Sequence, residues 1–209
     1  MFTFTDNYLQ FNKMGKIVTE KNLTRKEVIL VKAAELFKEK GYKASGMREL
    51  AEVLGIEAAS LYNHIKSKSE LLHLICFEVA NKYTLTMDEI EHKKVSSLEK
   101  IEDLLRFLIH EMINHYQDVY VCDREWKYLE EPYLSNFQAQ RRTYRRRIAA
   151  IIETGIHKNE IKHIDAPTAV LIMLHAISGI ESWHRSKHKI SAEDLEENMI
   201  TIIISGLKK

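Results

Sequence analysis

The sequence predicts an all-α protein, in which a three-helix N-terminal head is joined to a larger helical domain, with about nine helices in total. Glycine and proline are scarce, at 7 and 2 of 209 residues, and strand-like alternation is nearly absent. Several apolar stretches follow a serine or threonine that has glutamate three residues later, a pattern that starts helices. Within these stretches apolar residues recur every three or four positions, which is typical of helices with one buried face.

Composition limits the classes of protein and the location. A hydrophobic fraction of 45% with 29% charged residues is ordinary for a globular protein. Two cysteines, Cys76 and Cys122, do not make a disulfide framework, so we expect a reducing, cytoplasmic location. No apolar run reaches the roughly 18 residues that span a bilayer, so no membrane partner is expected. The first residues also lack the pattern of a secretory signal.

The chain divides into three parts. Residues 1–22 have no sustained period, and we interpret them as a flexible arm. Residues 23–68 contain the head, and residues 69–209 contain the larger helical domain. The first 68 residues carry 12 basic and 8 acidic side chains, whereas the remainder carries 19 and 22, a modest asymmetry that favours a head that binds nucleic acid.

A helix-turn-helix is the feature around which the head is organised. One short helix is predicted over about residues 46–54 with Ser45 as its N-cap, and a second over about residues 58–65. Gly55 and Ile56 form the turn between them, because glycine readily adopts the left-handed conformation that ends a helix. The pattern predicts that an apolar set holds the motif together: Leu50, Val53, Leu54, Ile56, Leu61 and Ile65. The second helix is then free to enter a DNA major groove.

Capping patterns mark most of the other helices. Pro167 suits a first turn, where its missing amide hydrogen is harmless. The predicted helices run from Thr24 to Gly41, from the Ser67-Lys68-Ser69-Glu70 box onward, from the Ser96-Ser97-Leu98-Glu99 box onward, from about Val119 to Leu129, from Tyr133 to about His157, from Asp165 to about His184, and from Ser191 to the end.

The last two predicted helices carry more apolar residues than one buried face needs. A helix that is apolar on two faces has two partners. We therefore predict a subunit interface on these helices; its candidate residues are Val170, Leu174, Ile177, Ile200, Ile203 and Ile204. The alternative is a wholly buried helix pair inside a monomer.

The stretch AAELFKEKGYKASGMRELAEVLGIEAASLYNHIKSKSELL resembles the N-terminal DNA-binding domain of TetR-type transcriptional regulators. The match covers about residues 24–75. The remainder of the chain has the helical pattern and length of that family's effector-binding and dimerisation domain. The matching residues are Ala34, Leu36-Phe37, Gly41-Tyr42, Ser45, Met47, Leu50-Ala51, Gly55, Leu61-Tyr62, His64 and Ser67-Lys68. The resemblance implies a homodimer that binds a palindromic double-stranded DNA operator. Members of the family are usually repressors, so the resemblance also implies a repressor that leaves its operator when a small-molecule effector binds.

The resemblance also assigns roles by position. Ser45 and Arg48 are expected to contact phosphate or a groove edge. Four residues are expected nearest the bases: Ala58, Ala59, Ser60 and Asn63. Three are expected to hold the DNA backbone: Tyr62, His64 and Lys68. Glu57 departs from the family's usual serine or threonine cap, and its charge is unfavourable toward DNA phosphate.

Aromatic and arginine side chains of the second domain suggest a small-molecule site. The candidate ligand-binding residues are Trp126, Phe137, Arg141, Tyr144, Arg145, His175 and Trp183. Most of the aromatic residues are equally consistent with a core, and the arginine run over residues 141–147 with a solvated face. An anion-binding strip beside an apolar pocket is the sharper alternative, and it resembles regulators that sense acyl-coenzyme A thioesters or other lipid-like molecules.

Other classes of function find less support in the sequence. No nucleophile elbow, phosphate loop or paired catalytic set is present, so we predict that the protein is not an enzyme and needs no cofactor. His184 and His188 are four residues apart, but no cysteine–histidine cluster has firm metal-ligand spacing, and no metal site is predicted. The alternative function is a helical protein-interaction or metal-sensing module without ligand-released DNA binding.

Overall fold

A computed structural model describes residues 24–187 and 190–209, so the predicted arm over residues 1–22, and His188, lie outside the described residues. The all-α prediction is confirmed, since the described residues form helices and a single isolated bridge between Ile161 and Lys208. The helices of this part are α1 (Arg25–Lys40), α2 (Met47–Val53), α3 (Ala58–Tyr62), α4 (Lys68–His92), α5 (Ser97–Asn114), α6 (Tyr116–Arg124), a 3₁₀ turn (Trp126–Tyr128), α7 (Tyr133–His157), α8 (Ala166–Ser178), α9 (Ile180–Arg185) and α10 (Ala192–Leu207).

Local capping explains where most helices begin. Thr24 and Glu27 form the predicted capping box, in which the Glu27 amide donates to Thr24 Oγ1 at 3.3 Å and the Thr24 amide donates to Glu27 Oε2 at 2.6 Å. The same reciprocal pair starts α5. Asp165 caps α8, and Ser191 caps α10. These starts follow from residues three positions apart, which is why the sequence predicts them well.

The capping box predicted at α4 is wrong in one half. The Glu70 amide does donate to Ser67 Oγ at 3.0 Å. The Glu70 carboxylate, however, accepts from the amide of Lys66 at 2.7 Å, one residue before the N-cap. The extended backbone at Ser67 places the neighbouring amide, and not its own, within reach of this carboxylate.

Three helix boundaries differ from the predictions. The stretch predicted over Val119–Leu129 is α6 followed by a 3₁₀ turn, and it starts at Tyr116. The helix predicted from Asp165 to His184 is divided at Gly179. The Gly179 amide donates to the carbonyls of both His175 and Ala176, so a bond three residues back joins the usual bond four residues back and the helical turn narrows there. With this division the described residues hold ten α-helices, which agrees with the prediction of about nine. Helix α3 ends at Tyr62, three residues early, because the following amides bond three residues back.

Two apolar clusters fill the described part of the chain. The head cluster joins α1, α2 and α3 to the first half of α4, to Val121 of α6 and to Phe137 of α7. The body cluster joins the second half of α4 to α5, α7, α8 and α10. The core of the head therefore continues into helices beyond residue 68, so α4 and α6 both connect the helix-turn-helix to the body.

No helix in the described ranges is both long and apolar enough to cross a membrane. The last helix is instead attached to the body through charge as well as apolar packing. Arg106 of α5 donates to Glu196 at 2.8 Å and to Glu197 at 2.6 Å. These contacts place α10 along α5.

Candidate functional site

The helix-turn-helix is held from inside by three residues. Leu50, Leu61 and Ile65 are almost fully buried in the head cluster. Gly55 makes the predicted turn at φ 64°, a left-handed conformation that favours glycine. The amide of Ile56 then donates to a carbonyl of α2, so the turn is closed by the backbone itself. This packing fixes which face of α3 points outward.

Val53 does not belong to the apolar set that the sequence predicted. Its side chain is 53% exposed. The buried side of α2 contains Leu50 and Ala51, and Val53 lies about 200° around the helix axis from Ala51. The spacing of apolar residues in so short a helix did not decide this point.

Most residues predicted to meet DNA are exposed. They are Arg48, Ala59, Ser60, Tyr62, Asn63 and His64, and together they are called here the recognition surface. Ala58 is partly buried against the head cluster. Asn63 and His64 follow the last residue of α3, so they lie at its end and not within it. Amide, hydroxyl and imidazole groups of this kind can bond phosphates and base edges, and such contacts remain predictions for each residue.

Ser45 has a different role from the one predicted. Its side chain is only 4% exposed, and its hydroxyl donates to the Gly41 carbonyl at 2.8 Å and toward the Leu36 carbonyl at 3.4 Å. The N-cap of α2 is Gly46, without a side-chain cap. The predicted cap is therefore wrong, and the hydroxyl of Ser45 faces the end of α1 and not DNA. This serine fastens the loop between α1 and α2.

Lys68 also points inward. Its ammonium group donates to the carbonyl oxygens of Tyr42 at 2.8 Å and Ser45 at 2.9 Å, with a longer contact to Lys43 at 3.4 Å. It also lies 4.4 Å from the centre of the Tyr42 ring. The structure thus corrects the predicted backbone contact: the charge of Lys68 ties the start of α4 to the loop before α2.

The residues predicted to bind ligand do not form one site. Trp126, Phe137 and Arg141 do lie together, with the Arg141 guanidinium 5.4 Å from the Trp126 ring centre and 5.9 Å from that of Phe137. Arg141 also donates to Asp123 at 3.0 Å. Phe137, however, is fully buried in the head cluster. This group is packed structure at the junction of α6 and α7.

The other predicted ligand residues lie elsewhere. Arg145 is exposed on α7, and His175 is exposed on α8, with its Nδ1 2.8 Å from the Leu171 carbonyl oxygen. The indole of Trp183, on α9, donates to the Ile190 carbonyl at 2.9 Å. None of these three residues lines the cleft that Tyr144 lines, so a part for them in ligand binding stays a prediction.

Tyr144 lines a cleft between α4 and α7, called here the α4–α7 cleft. Its volume is about 390 Å³, within the range of small-molecule sites. The lining residues are Phe77, Thr84, Asn136, Ala139, Gln140, Thr143, Tyr144 and Arg147. An aromatic ring and methyl groups thus alternate with amide, hydroxyl and guanidinium groups in one concave surface.

Two buried polar atoms in the lining residues have no hydrogen-bond partner in the described part of the chain. Gln140 uses its amide nitrogen to donate to Asn81 Oδ1 at 3.1 Å, which leaves Oε1 unpaired. The hydroxyl of Tyr144 is likewise buried and unpaired. Burial raises the pKa of Tyr144 well above its usual range, so this hydroxyl keeps its proton. Buried polar atoms without partners are costly, and a ligand that bonds them recovers that cost.

Arg147 is the arginine of the cleft, and the sequence had not selected it. Its guanidinium donates to Glu91 at 2.8 Å and to Asp88 at 2.6 Å. Asn136, Gln140 and Arg147 lie four and seven residues apart on α7, a spacing that places them on one stripe with Tyr144. The sequence shows that these residues share one stripe of α7. It does not show which stripe of α7 faces α4.

The predicted subunit interface is wrong for half of its residues. Val170, Ile177 and Ile200 are buried in the body cluster of this chain, so they cannot contact a second subunit. Three others, Leu174, Ile203 and Ile204, are partly buried against the same cluster. The exposed apolar residues on the same two helices are instead Leu171, Ile172 and Ile202, which are 56%, 61% and 72% exposed.

Metal ligands are not gathered anywhere in residues 24–187 and 190–209: no group of three or more His, Cys, Asp or Glu side chains is placed to hold an ion. His184 has other contacts. Its Nε2 lies 2.8 Å from the Met112 carbonyl oxygen, and its ring stacks on Tyr116 at 4.0 Å.

Comparisons with known proteins match both parts of the chain. The family described as bacterial regulatory proteins, tetR family, matches residues 29–75. The family described as tetracyclin repressor-like, C-terminal domain, matches residues 94–207, more than half of the chain. The chain is also 22% identical to the HTH-type transcriptional repressor KstR2 of Mycolicibacterium smegmatis over 186 residues, which cover 88% of this chain and 91% of that protein.

Two solved structures share the fold. The ketosteroid transcriptional regulator KstR2 of Mycobacterium tuberculosis has a TM-score of 0.83 at 21% identity, covering 89% of this chain and 96% of that chain. AibR in complex with isovaleryl coenzyme A and operator DNA has a TM-score of 0.75 at 19% identity, covering 86% and 97%. With its helix-turn-helix, its helical body and the two family matches, the chain belongs to the TetR family of bacterial transcriptional regulators, which are not enzymes.

Proposed function

We propose that this protein is a cytoplasmic, ligand-responsive repressor that binds a palindromic DNA operator as a homodimer and is released by a small-molecule effector. The observation that carries the proposal is the recognition surface. Leu61 of α3 and Ile65 just after it are fully buried, whereas Ser60 and Tyr62 of α3 and the following Asn63 are exposed. A short helix fixed in this way presents its side chains to a major groove in a defined orientation.

DNA binding is tested by fluorescence anisotropy on the DNA upstream of the protein's own coding region. Tyr62→Ala should weaken binding by about tenfold or more, since one good polar contact is worth roughly 1–3 kcal/mol. Ile190→Ala is the matched control, because the side chain of Ile190 is similarly exposed but lies between α9 and α10. A helical interaction module without DNA binding would show neither affinity that falls steeply with salt nor a difference between the two variants.

Dimerisation is supported by the exposed apolar side chains of α8 and α10. Leu171 and Ile172 project from α8, and Ile202 from α10, although both helices are already packed on the body by their other faces. Apolar residues exposed after the core is complete are typical of a surface that meets a partner. We propose that a second copy covers them, which holds two copies of α3 at the 34–36 Å spacing of successive major grooves.

The α4–α7 cleft is the proposed effector site. The unpaired Gln140 Oε1 and Tyr144 hydroxyl offer an acceptor and a donor to a bound molecule. Arg146 is an exposed residue that does not line the cleft, but its guanidinium donates to Thr143, which does, at 3.2 Å. An acyl-coenzyme A thioester suits this arrangement, with the acyl group in the cleft and the phosphates outside it. The similarity to AibR, solved with isovaleryl coenzyme A, supports this choice.

A thermal-shift panel of fatty acids and their coenzyme A esters tests the effector. We expect at least one thioester to stabilise the protein and to lower its affinity for DNA. Tyr144→Phe should abolish that stabilisation while leaving the free protein as stable or slightly more stable, because it removes an unpaired buried hydroxyl. If no thioester stabilises the protein, the proposed effector class is wrong.

A route from effector to DNA runs along α4. Phe77 and Thr84 of this helix line the cleft, and Leu71, Leu72 and Ile75 belong to the head cluster. A ligand that displaces α4 therefore moves the helix-turn-helix with it. In a dimer, a small rotation of each head changes the separation of the two α3 helices and so lowers the affinity for an operator of fixed spacing.

A further inference from the structure

A second and larger cleft lies between the head and the body. Its volume is about 620 Å³, and it is enclosed by α1 of the head and by the ends of α5, α6 and α9. The lining residues are Lys38, Ile113, Asn114, Tyr116, Gln117, Tyr120, Glu181, His184 and Arg185. None of them lines the α4–α7 cleft, so the two clefts are separate and use different helices.

The charged lining of this cleft has a positive surplus. The Lys38 ammonium lies 4.5 Å from the centre of the Tyr116 ring. Within residues 24–187 and 190–209 it forms no ion pair with a carboxylate. Glu181 is the one acidic lining residue, and it is shared by two guanidinium groups, Arg124 at 2.8 Å and Arg185 at 3.3 Å. The lining itself thus carries two cations, Lys38 and Arg185, against the one carboxylate of Glu181, which favours an anion.

The apolar wall is rigid. Tyr116 is buried, and the His184 ring stacks on it at 4.0 Å with the ring planes 9° apart. His184 is itself held by the Met112 carbonyl at 2.8 Å. Tyr120 lies against Tyr116 in an edge-on arrangement at 5.8 Å. These contacts fix the rings before a ligand arrives, so little ordering is required on binding.

We propose that this cleft binds a small organic anion with a flat apolar body, such as an aromatic carboxylate. The carboxylate accepts from Lys38 and Arg185, and the amides of Asn114 and Gln117 supply further donors. The apolar body lies against the partly exposed Tyr120 ring, which the buried Tyr116 holds in place. Because Lys38 belongs to the head and Arg185 to the body, the bound anion bridges the two parts of the chain. The site is additional to the proposed effector cleft and does not depend on it.

Ligand-observed saturation-transfer NMR on the full-length protein tests the proposal, with benzoate as the probe and neutral benzamide as its uncharged match. Benzoate should bind with a dissociation constant in the millimolar range and benzamide at least about tenfold more weakly, since benzamide lacks the charge. K38M should weaken benzoate binding by about tenfold. K26M, a lysine exposed on the same helix, should leave it unchanged.

Two further variants make the outcome decisive. R185Q removes the second cation at an exposed position, so it reports on the site even if K38M impairs folding, and it should also weaken benzoate binding. Y144F alters only the α4–α7 cleft and should leave benzoate binding unchanged, whatever its effect on coenzyme A esters. Equal binding of benzoate and benzamide, or benzoate binding that survives in both K38M and R185Q, overturns the proposal.

Discussion

Replacing Lys68 by methionine removes an ammonium group that the head uses internally. The aliphatic stem is retained, so the loss is confined to the charge and its bonds. Those bonds reach the Tyr42 and Ser45 carbonyls at 2.8 and 2.9 Å, and the Tyr42 ring centre lies 4.4 Å away. Both carbonyls belong to the loop between α1 and α2, which positions the helix-turn-helix.

The expected cost follows from these contacts. A hydrogen bond from a charged group contributes roughly 1.5–3 kcal/mol when buried, and about 1 kcal/mol each is reasonable here because the ammonium is only partly buried. The contact with the Tyr42 ring adds about 0.5 kcal/mol. We therefore expect Lys68→Met to lower the free energy of unfolding by about 2–3 kcal/mol. With a urea dependence of about 2 kcal/mol per molar, the midpoint falls by about 1 M or slightly more.

Urea unfolding followed by far-UV circular dichroism measures this loss, with Lys94→Met as a control at an exposed position on the body. The salt dependence of DNA binding separates the two roles of Lys68. An internal role leaves the slope of log affinity against log salt unchanged, whereas a lost phosphate contact reduces it by about 0.9. Unchanged stability together with a reduced slope would refute the internal role.

Three other substitutions test the rest of the structure. Leu171→Glu should convert a dimer to monomers in sedimentation experiments, whereas Leu85→Glu, at an equally exposed leucine on α4, should not. Gly55→Ala should lower the free energy of unfolding by about 1 kcal/mol because its φ is 64°, and an unchanged urea midpoint would contradict this. Burial, with nearby carboxylates, raises the pKa of Asp118 to about 6. As the pH rises, the unfolded chain therefore loses this proton first, and the free energy of unfolding falls between about pH 4 and 6. Asp118→Asn should thus gain about 1–2 kcal/mol over the parent above pH 6 and nothing below pH 4, a difference that urea titrations at several pH values would detect.

The starts of helices were the most predictable part of the fold. Thr24, Ser96, Asp165 and Ser191 each cap a helix as expected, since a cap requires only a side chain and an amide three residues away. Ser45 fits the same local pattern but bonds backward to the end of α1, because that loop folds against the head. A local pattern thus fails where a distant carbonyl competes for the same hydroxyl.

Exposure of the candidate residues was easier to predict on α3 than on the body. Ala59, Ser60 and Tyr62 of α3, which the resemblance assigns to DNA, are exposed, and their contact with DNA stays a prediction. On α7 the sequence selected Arg141 and Arg145, whereas the cleft is lined by Gln140 and Arg147. Helical periodicity gives the angle between side chains on one helix, but the neighbouring helix decides which of them becomes enclosed.

The sequence by itself determined the helical class, the helix-turn-helix with its glycine turn, and the family to which the chain belongs. Those features depend on bonds and spacings within a few residues. Only the tertiary structure decided that Val170 is core and Leu171 surface, that Lys68 binds loop carbonyls, and that two clefts flank α4 and α6. Such outcomes depend on how helices are rotated against one another, and that rotation minimises the exposed apolar area of the whole chain and not of any single segment.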